Sequence, residues 1–315
     1  MIDVQHVRKR FGSHAVLDAV NLRVARGERV AVLGYNGAGK TTLFRCVLGL
    51  TPFDGHITIN NADVLRHGRE ARNSVGYVPQ KAPRFEGTYR ETIDFFCKLR
   101  SAPTREIHER LAGVGVDVEQ HGEKSMSALS GGMLQKALLA VALGSGADVL
   151  ILDEPTANLD PQARRDFLAV LRQAPDHVTV LLSSHRLGDI EAVASRVVVL
   201  HEGKIAFDGQ VLDLTRAAAT QTLFWVYPSA EDRASTVSIL EEFGAIHQSQ
   251  PEHGRVGVSV SRRIAARVLG ALDAKGIELN DFAFETPTVE DVLALALSGS
   301  SRSSNARVGN DGPHT

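Results

Sequence analysis

The eight residues Gly34-Tyr35-Asn36-Gly37-Ala38-Gly39-Lys40-Thr41 constrain this chain more than any other feature. They follow the apolar run Val30-Ala31-Val32-Leu33 and precede Leu43, Phe44, Val47 and Leu48, which recur at helical spacing. An apolar run without alternation marks a strand covered on both faces, so the segment is a strand-to-helix turn inside an α/β fold. It fits the pattern G-x-x-x-x-G-K-[ST]. Glycines there let the backbone curl until successive N–H groups converge on phosphate oxygens, and the helix N-terminus adds its positive end. Lys40 is then placed for the outer phosphates and the Thr41 hydroxyl for Mg²⁺. A glycine-rich turn that binds nothing is the competing reading, and the flanking strand and helix weigh against it.

The remaining chain reads as strands alternating with helices, the pattern of a mainly parallel sheet. Strands are predicted at 2–7, 15–24, 29–33, 149–152 and 178–182, with a helix at 161–173 and a closing hairpin at 197–208 around Glu202-Gly203. The texture changes at the polar, alanine-rich segment 215–222. Beyond it the order is strand 223–227, helix 231–243, strands 245–250 and 255–260, helix 264–275 and strand 277–283. That β-α-β-β-α-β order is ferredoxin-like. A last helix is expected from Pro287, where Thr288 and Asp291 have capping-box spacing. The predicted domains are 1–214 and 215–298, and 299–315 is expected to be a disordered tail rich in Ser, Gly, Asn and Arg.

Composition narrows the function classes. The 315 residues carry 35 Lys and Arg against 37 Asp and Glu, so no broad basic surface marks a nucleic-acid binder. No run reaches the ~18–20 apolar residues of a membrane-spanning helix. The nearest, 137–152, is interrupted by Gly144, Ser145, Gly146 and Asp148. The first residues, Met1 to Gly12, show no export signal, and Cys46 and Cys97 fit two free thiols in a reducing compartment. A cytoplasmic location is expected.

A second chemical signal is Val149-Leu150-Ile151-Leu152-Asp153-Glu154, which brings two acids to the carboxyl end of a buried strand. Asp153 is placed to hold a metal's water shell and Glu154 to polarise an attacking water. Alone, such a pair is more often a solvated loop; beside a phosphate loop it is not. Leu129-Ser130-Gly131-Gly132-Met133 lies upstream of it. Here the sequence resembles the ATP-binding cassette (ABC) ATPases, whose signature is LSGGQ. Gln80 in Gly76-Tyr77-Val78-Pro79-Gln80 resembles the Q-loop glutamine, Ala157-Asn158-Leu159-Asp160 the D-loop, and His185 in Ser183-Ser184-His185 the switch histidine. Phe11, with Val16 nearby, stands where the family stacks an aromatic on adenine. The resemblance covers residues 1 to about 215.

The resemblance implies an α/β P-loop NTPase fold with a RecA-like core and a helical subdomain, the small α+β domain following it. It implies ATP and Mg²⁺ as cofactors. ATP would be held by Phe11, Val16, Gly34, Tyr35, Asn36, Gly37, Ala38, Gly39, Lys40, Thr41 and Thr42. Thr41, Gln80 and Asp153 would serve the metal, and Glu154, His185 and Gln80 would carry hydrolysis. Two copies would sandwich two ATP, each nucleotide also meeting Ser130, Gly131, Gly132 and Asp160 of the other copy. Tyr35 departs from the small residue usual in the loop, and Met133 from the signature's glutamine. Met133 and the ending Thr286-Pro287-Thr288-Val289-Glu290-Asp291-Val292-Leu293 resemble the ABC-2 exporter group, which includes drug-efflux and copper-site maturation ATPases.

Two functions from different classes compete. The first is the energising subunit of a transporter, peripheral on the inner face of the plasma membrane, driving a separate permease. Its coupling surface is expected within 81–99, where Phe85, Tyr89, Phe95 and Phe96 lie, although most of these aromatics also suit the helical subdomain's own core. The second is a soluble cassette acting on DNA or ribosomes. Chromosome-maintenance cassettes place a long coiled coil between the two nucleotide motifs, and none separates Lys40 from Asp153; ribosomal relatives usually carry two cassettes per chain, and this chain has one. Transport is the favoured reading, with no nucleic acid expected.

Overall fold

A computed structural model describes residues 1–83, 85–214, 222–229, 231–244, 246–248, 255–260 and 262–285. The chain forms two compact units, Met1–Val211 and Leu212–Thr315. The first opens with β1 (Ile2–Phe11), β2 (His14–Val24), β3 (Arg29–Leu33) and α1 (Lys40–Val47). Then come β4 (Asp54–Ile59), β5 (Ala62–Asp63), α2 (Gly68–Asn73) and β6 (Val75–Val78). A helical stretch follows: α3 (Tyr89–Leu99), α4 (Thr104–Gly113), α5 (Val118–His121) and α6 (Gly131–Gly144). The chain returns to the sheet through β7 (Val149–Asp153), α7 (Pro161–Arg172), β8 (Thr179–Ser183), α8 (Leu187–Val193), β9 (Arg196–His201) and β10 (Lys204–Gln210).

Six strands form one sheet in the order β10-β9-β3-β8-β7-β6. From β9 to β6 every neighbour pairs in parallel, and β10 closes the edge antiparallel. The predicted parallel sheet is thus present, with β3, β7 and β8 buried along nearly their whole length. A second, antiparallel sheet runs β2-β1-β4-β5. Between the sheets lies a core containing Val30, Val32, Phe44, Ile57, Ile151 and Leu181.

The first strand is longer than its predicted 2–7. Register shifts after Val4 and Val7 break the alternation, and His6 takes a positive φ of 51°, so period-two patterning stops where the strand does not. Of the elements between residues 50 and 130, β5, α2 and β6 have only two, six and four residues, too few to show a period. β6 has four residues, one of them Gly76, whose missing Cβ would sit 2.7 Å from the Ala142 Cβ of α6. That glycine serves helix-on-sheet packing rather than a turn. The apolar stretch 137–152 divides as expected, into the last turns of α6, a bend at Gly146 (φ 69°) and β7. Among the described residues no helix is long and apolar enough to cross a membrane.

The helical stretch has its own core, in which Tyr89, Ile93 and Cys97 of α3 meet Ile107, Leu111 and Met126, with Ala137 and Ala140 of α6 beneath. A capping box of Thr88 and Glu91 starts α3, and the buried Tyr89 hydroxyl donates to the Val116 carbonyl at 2.7 Å. Phe85, Tyr89 and Phe96 all pack inward, whereas Phe95 (57% exposed) and Leu99 (64%) face outward one helical turn apart.

The second unit contains β11 (Thr222–Pro228), α9 (Arg233–Glu241), β12 (Ile246–Gln248), β13 (Val256–Val260), α10 (Arg262–Ala274) and β14 (Leu279–Glu285). Its sheet order is β12-β13-β11-β14, antiparallel throughout, which is the ferredoxin-like arrangement read from the sequence. Phe224, Val226, Val256 and Val258 share its core with Leu240 of α9 and Ala265, Val268 and Leu272 of α10. The helix expected from Pro287 and the tail expected at 299–315 lie outside the described residues.

Candidate functional site

The strand β3 delivers the chain to Gly34 at the carboxyl edge of the parallel sheet, where α/β folds gather ligands. A Cβ on Gly34 would lie 2.5 Å from the Leu200 carbonyl oxygen of β9, so the turn leaves the sheet too closely for any side chain. Gly39 is constrained twice: its φ is 103°, and a Cβ would stand 2.9 Å from the Val16 carbonyl. Helix α1 then begins at Lys40 with no side chain capping its first turn and no acid within it. Its leading N–H groups are therefore presented to an external anion.

A cavity of about 330 Å³ opens over this turn, lined by Val16, Asn36, Gly37, Gly39, Lys40, Thr41, Thr42, Gln80 and Glu154. Tyr35 and Ala38 face a neighbouring cavity instead, with His14 and His201, and the Tyr35 and His201 rings meet edge to face. Gly34 lines neither cavity; its role is the close approach to β9. Phe11 ends β1 outside both, 56% exposed, with the Lys9 ammonium 4.8 Å above its ring.

The buried Lys40 ammonium donates to the Gly34 carbonyl at 2.8 Å and the Tyr35 carbonyl at 3.3 Å, and lies 3.3 Å from Glu154 Oε1. The other Glu154 oxygen is 2.9 Å from His185 Nδ1, so His185 reaches the site through the glutamate. Thr41 Oγ1 donates to Asp153 Oδ1 at 3.2 Å. Asp153 is the last residue of β7 and Glu154 the first beyond it, with a positive φ of 43°. That backbone turn sends two consecutive carboxylates to different partners, Thr41 on one side and Lys40 with His185 on the other.

The pair Thr41 and Asp153 supplies the oxygen donors that Mg²⁺ takes in phosphate sites, where one or two side chains suffice beside the phosphates, and Gln80 lines the same cavity. These residues fit the metal that the sequence implies. Burial, with the Asp153 charge nearby, also raises the Tyr77 phenol on β6 to about 12, so it stays protonated beside them.

Ser130, Gly131, Gly132 and Asp160 do not line this cavity. Ser130 is the N-cap of α6, its hydroxyl accepting from the Met133 N–H at 3.2 Å. The Ser-Gly-Gly segment is thus a helix start, with Gly131 and Gly132 in the first turn. Asp160 caps α7, accepting from the N–H groups of Ala163 and Gln162 at 2.9 Å, and those bonds hold its carboxyl below the usual range. The two helix starts abut where Gly132 has no side chain: a Cβ there would lie 2.7 Å from that of Ala163.

Several contributors carried no signal in the sequence. Gln135 of α6 donates to the Pro79 and Gln80 carbonyls at 3.0 and 3.3 Å, tying α6 to the segment that follows β6. The buried Asp189 of α8 accepts from the Thr156 hydroxyl and lies 3.5 Å from Arg164 Nε of α7. The Ser183 hydroxyl stands between the two acids. Each is a polar residue whose meaning depends on what another element places opposite it.

Residues 17–157 match the family described as ABC transporter. Over 306 residues, 96% of both chains, the sequence is 31% identical to daunorubicin resistance ATP-binding protein DrrA3 of Streptomyces coeruleorubidus. It is 33% identical over 290 residues to sulfate/thiosulfate import ATP-binding protein CysA of Nocardia farcinica, covering 88% of this chain and 82% of that one. A solved ATP-binding subunit of an ABC transporter superimposes with a TM-score of 0.62 at 28% identity, over 69% of this chain and 92% of that one. On this similarity along nearly its whole length, the chain is a member of the ATP-binding cassette family, an ATPase subunit of the transporter kind.

Proposed function

We propose that this ATPase energises an exporter of ABC-2 type, working as a homodimer on a separate membrane-spanning permease. The observation that carries this reading is the similarity to a drug-resistance ATPase along 96% of both chains, including the region of the second unit. The similarity to a sulfate importer covers less of each chain. The departure at Met133 supports the same group. The outward pair Phe95 and Leu99 on α3 is the surface offered to the permease, because Phe85, Tyr89 and Phe96 are spent on the subdomain's core. In this arrangement the chain is peripheral on the cytoplasmic membrane face. The second unit serves as an accessory or regulatory domain.

In the proposed cycle Lys40 turns from the Gly34 and Tyr35 carbonyls to the outer phosphates, and the N–H groups at the start of α1 hold the rest. Thr41, Asp153 and Gln80 would hold Mg²⁺, which supplies charge neutralisation at the phosphates. Glu154 takes a proton from the attacking water. His185 keeps Nδ1 on Glu154, leaving Nε2 as the ring nitrogen that faces phosphate. Phe11 stacks on the adenine and Val16 packs beside it. Ser130, Gly131, Gly132 and Asp160, outside their own cavity, complete the partner's site: the Ser130 oxygen accepts within its helix, which leaves its proton to donate.

The test is transport itself. Inside-out vesicles from cells holding the chain and its co-purifying membrane partner are expected to accumulate an amphiphilic drug with ATP, and to stop when Glu154→Gln is introduced. ATP-driven movement of an oxyanion in the inward direction would overturn the exporter reading.

A further inference from the structure

The parallel register of β7 and β8 sets Ser183 directly opposite Asp153. Ser183 is fully buried, and its hydroxyl has two neighbours. It accepts a hydrogen bond from the Glu154 N–H at 2.8 Å and donates one to Asp153 Oδ1 at 2.9 Å. An ionised carboxylate only accepts and a backbone N–H only donates, so the orientation of this hydroxyl is fixed.

These contacts coincide with an unusual backbone. Glu154 is not a glycine, yet its φ is 43°, a conformation that persists only where surroundings over-determine it. The N–H that leaves β7 there is satisfied by the Ser183 hydroxyl. The same oxygen holds Asp153 beside Thr41. One atom therefore braces the turn that sends Asp153 towards Thr41 and Glu154 towards Lys40 and His185.

We infer that Ser183 is a positioning residue for hydrolysis, setting the metal-side carboxylate and the water-side carboxylate apart from a single hydroxyl. The inference rests on the proposed roles of Asp153 and Glu154. It places Ser183 outside nucleotide binding: Ser183 is absent from the lining of the cavity that Lys40, Thr41 and Thr42 form. Removing the hydroxyl leaves the Glu154 N–H without its partner and Asp153 Oδ1 with one donor fewer.

The experiment compares Ser183→Ala, Ser183→Thr and Ser183→Cys with the native chain. In Ser183→Ala, a trinitrophenyl ATP analogue binds with native affinity when Mg²⁺ is absent. The Mg²⁺ concentration that half-saturates metal-dependent binding rises about tenfold, as for a lost outer-shell partner. Turnover falls roughly ten- to hundredfold, part of what a positioned base supplies. Ser183→Thr retains the hydroxyl and most of the turnover. Ser183→Cys, close in size but a weaker hydrogen-bonding group, shows the same selective defect and serves if the alanine variant does not fold. Native turnover and Mg²⁺ dependence in Ser183→Ala or Ser183→Cys overturn the inference. So does loss of Mg²⁺-free nucleotide binding equal to the Mg²⁺-dependent loss, or a threonine variant as defective as alanine. Turnover retained by Glu154→Gln would refute the underlying roles instead. If that variant is dead while Ser183→Ala is native, the role of Ser183 alone falls.

Discussion

Lys40 is surrounded by three oxygens of its own chain, two loop carbonyls and Glu154, in a pocket that leaves it 6% exposed. Its charge is thus held by groups that a nucleotide would replace. Lys40→Ala is expected to lower ATP affinity by at least about tenfold, since a charge-assisted contact of this kind contributes ~1.5–3 kcal/mol. Equilibrium binding with a fluorescent analogue checks it, and native affinity would refute the phosphate-loop role. Gly39→Ala tests the backbone rather than the charge. With φ at 103° and carbonyl oxygen 2.9 Å from the new Cβ, it is expected to cost on the order of 2 kcal/mol in chemical denaturation and to weaken ATP binding. At this scale the sequence was informative wherever spacing along the chain is the chemistry: the glycine turn, Lys40, Thr41 and the acidic pair. It was silent on Ser183 and Asp189, because strand register and helix packing, not spacing, give those side chains their partners.

Elements join the site through a few polar contacts between their ends. Asp189, buried on α8, receives Thr156 from the segment after β7 and faces Arg164 on α7. Removing one partner from a buried ionic contact leaves the other desolvated. Arg164→Ala is therefore expected to destabilise the first unit by about 2 kcal/mol in urea unfolding, more than an exposed arginine would. Helices α6 and α7 each begin at a residue assigned to the partner's site, Ser130 and Asp160. If that assignment holds, mixing Lys40→Ala with Ser130→Arg chains restores part of the ATPase activity that either lacks alone. Absence of recovery in the mixture would place the signature residues elsewhere. The unbroken apolar runs of β3, β7 and β8 and the twelve-residue amphipathic α7 were legible within a residue or so at either end. β6 and α2 were not, since four and six residues are too few to display a period.

On the scale of the molecule, two units carry separate cores, and the order of strands and helices revealed both folds. Both thiols are buried, and burial pushes the Cys46 thiol up from 9.0 to about 11. A raised pKa means that the folded chain keeps this proton longer than the unfolded one. The stabilisation is complete below pH 9.0 and is lost as pH climbs towards about 11. Thermal unfolding across that window is expected to fall more steeply for the native chain than for Cys46→Ala. Thiol reagents at neutral pH should reach neither cysteine until denaturant is added. A last consequence follows from the missing side chain at Gly132, which lets the starts of α6 and α7 touch. A side chain at position 132 would have to push those two helix starts apart, and with them Ser130 and Asp160. The glycine at 132 thus fixes the spacing between two helix ends that the sequence alone places thirty residues apart.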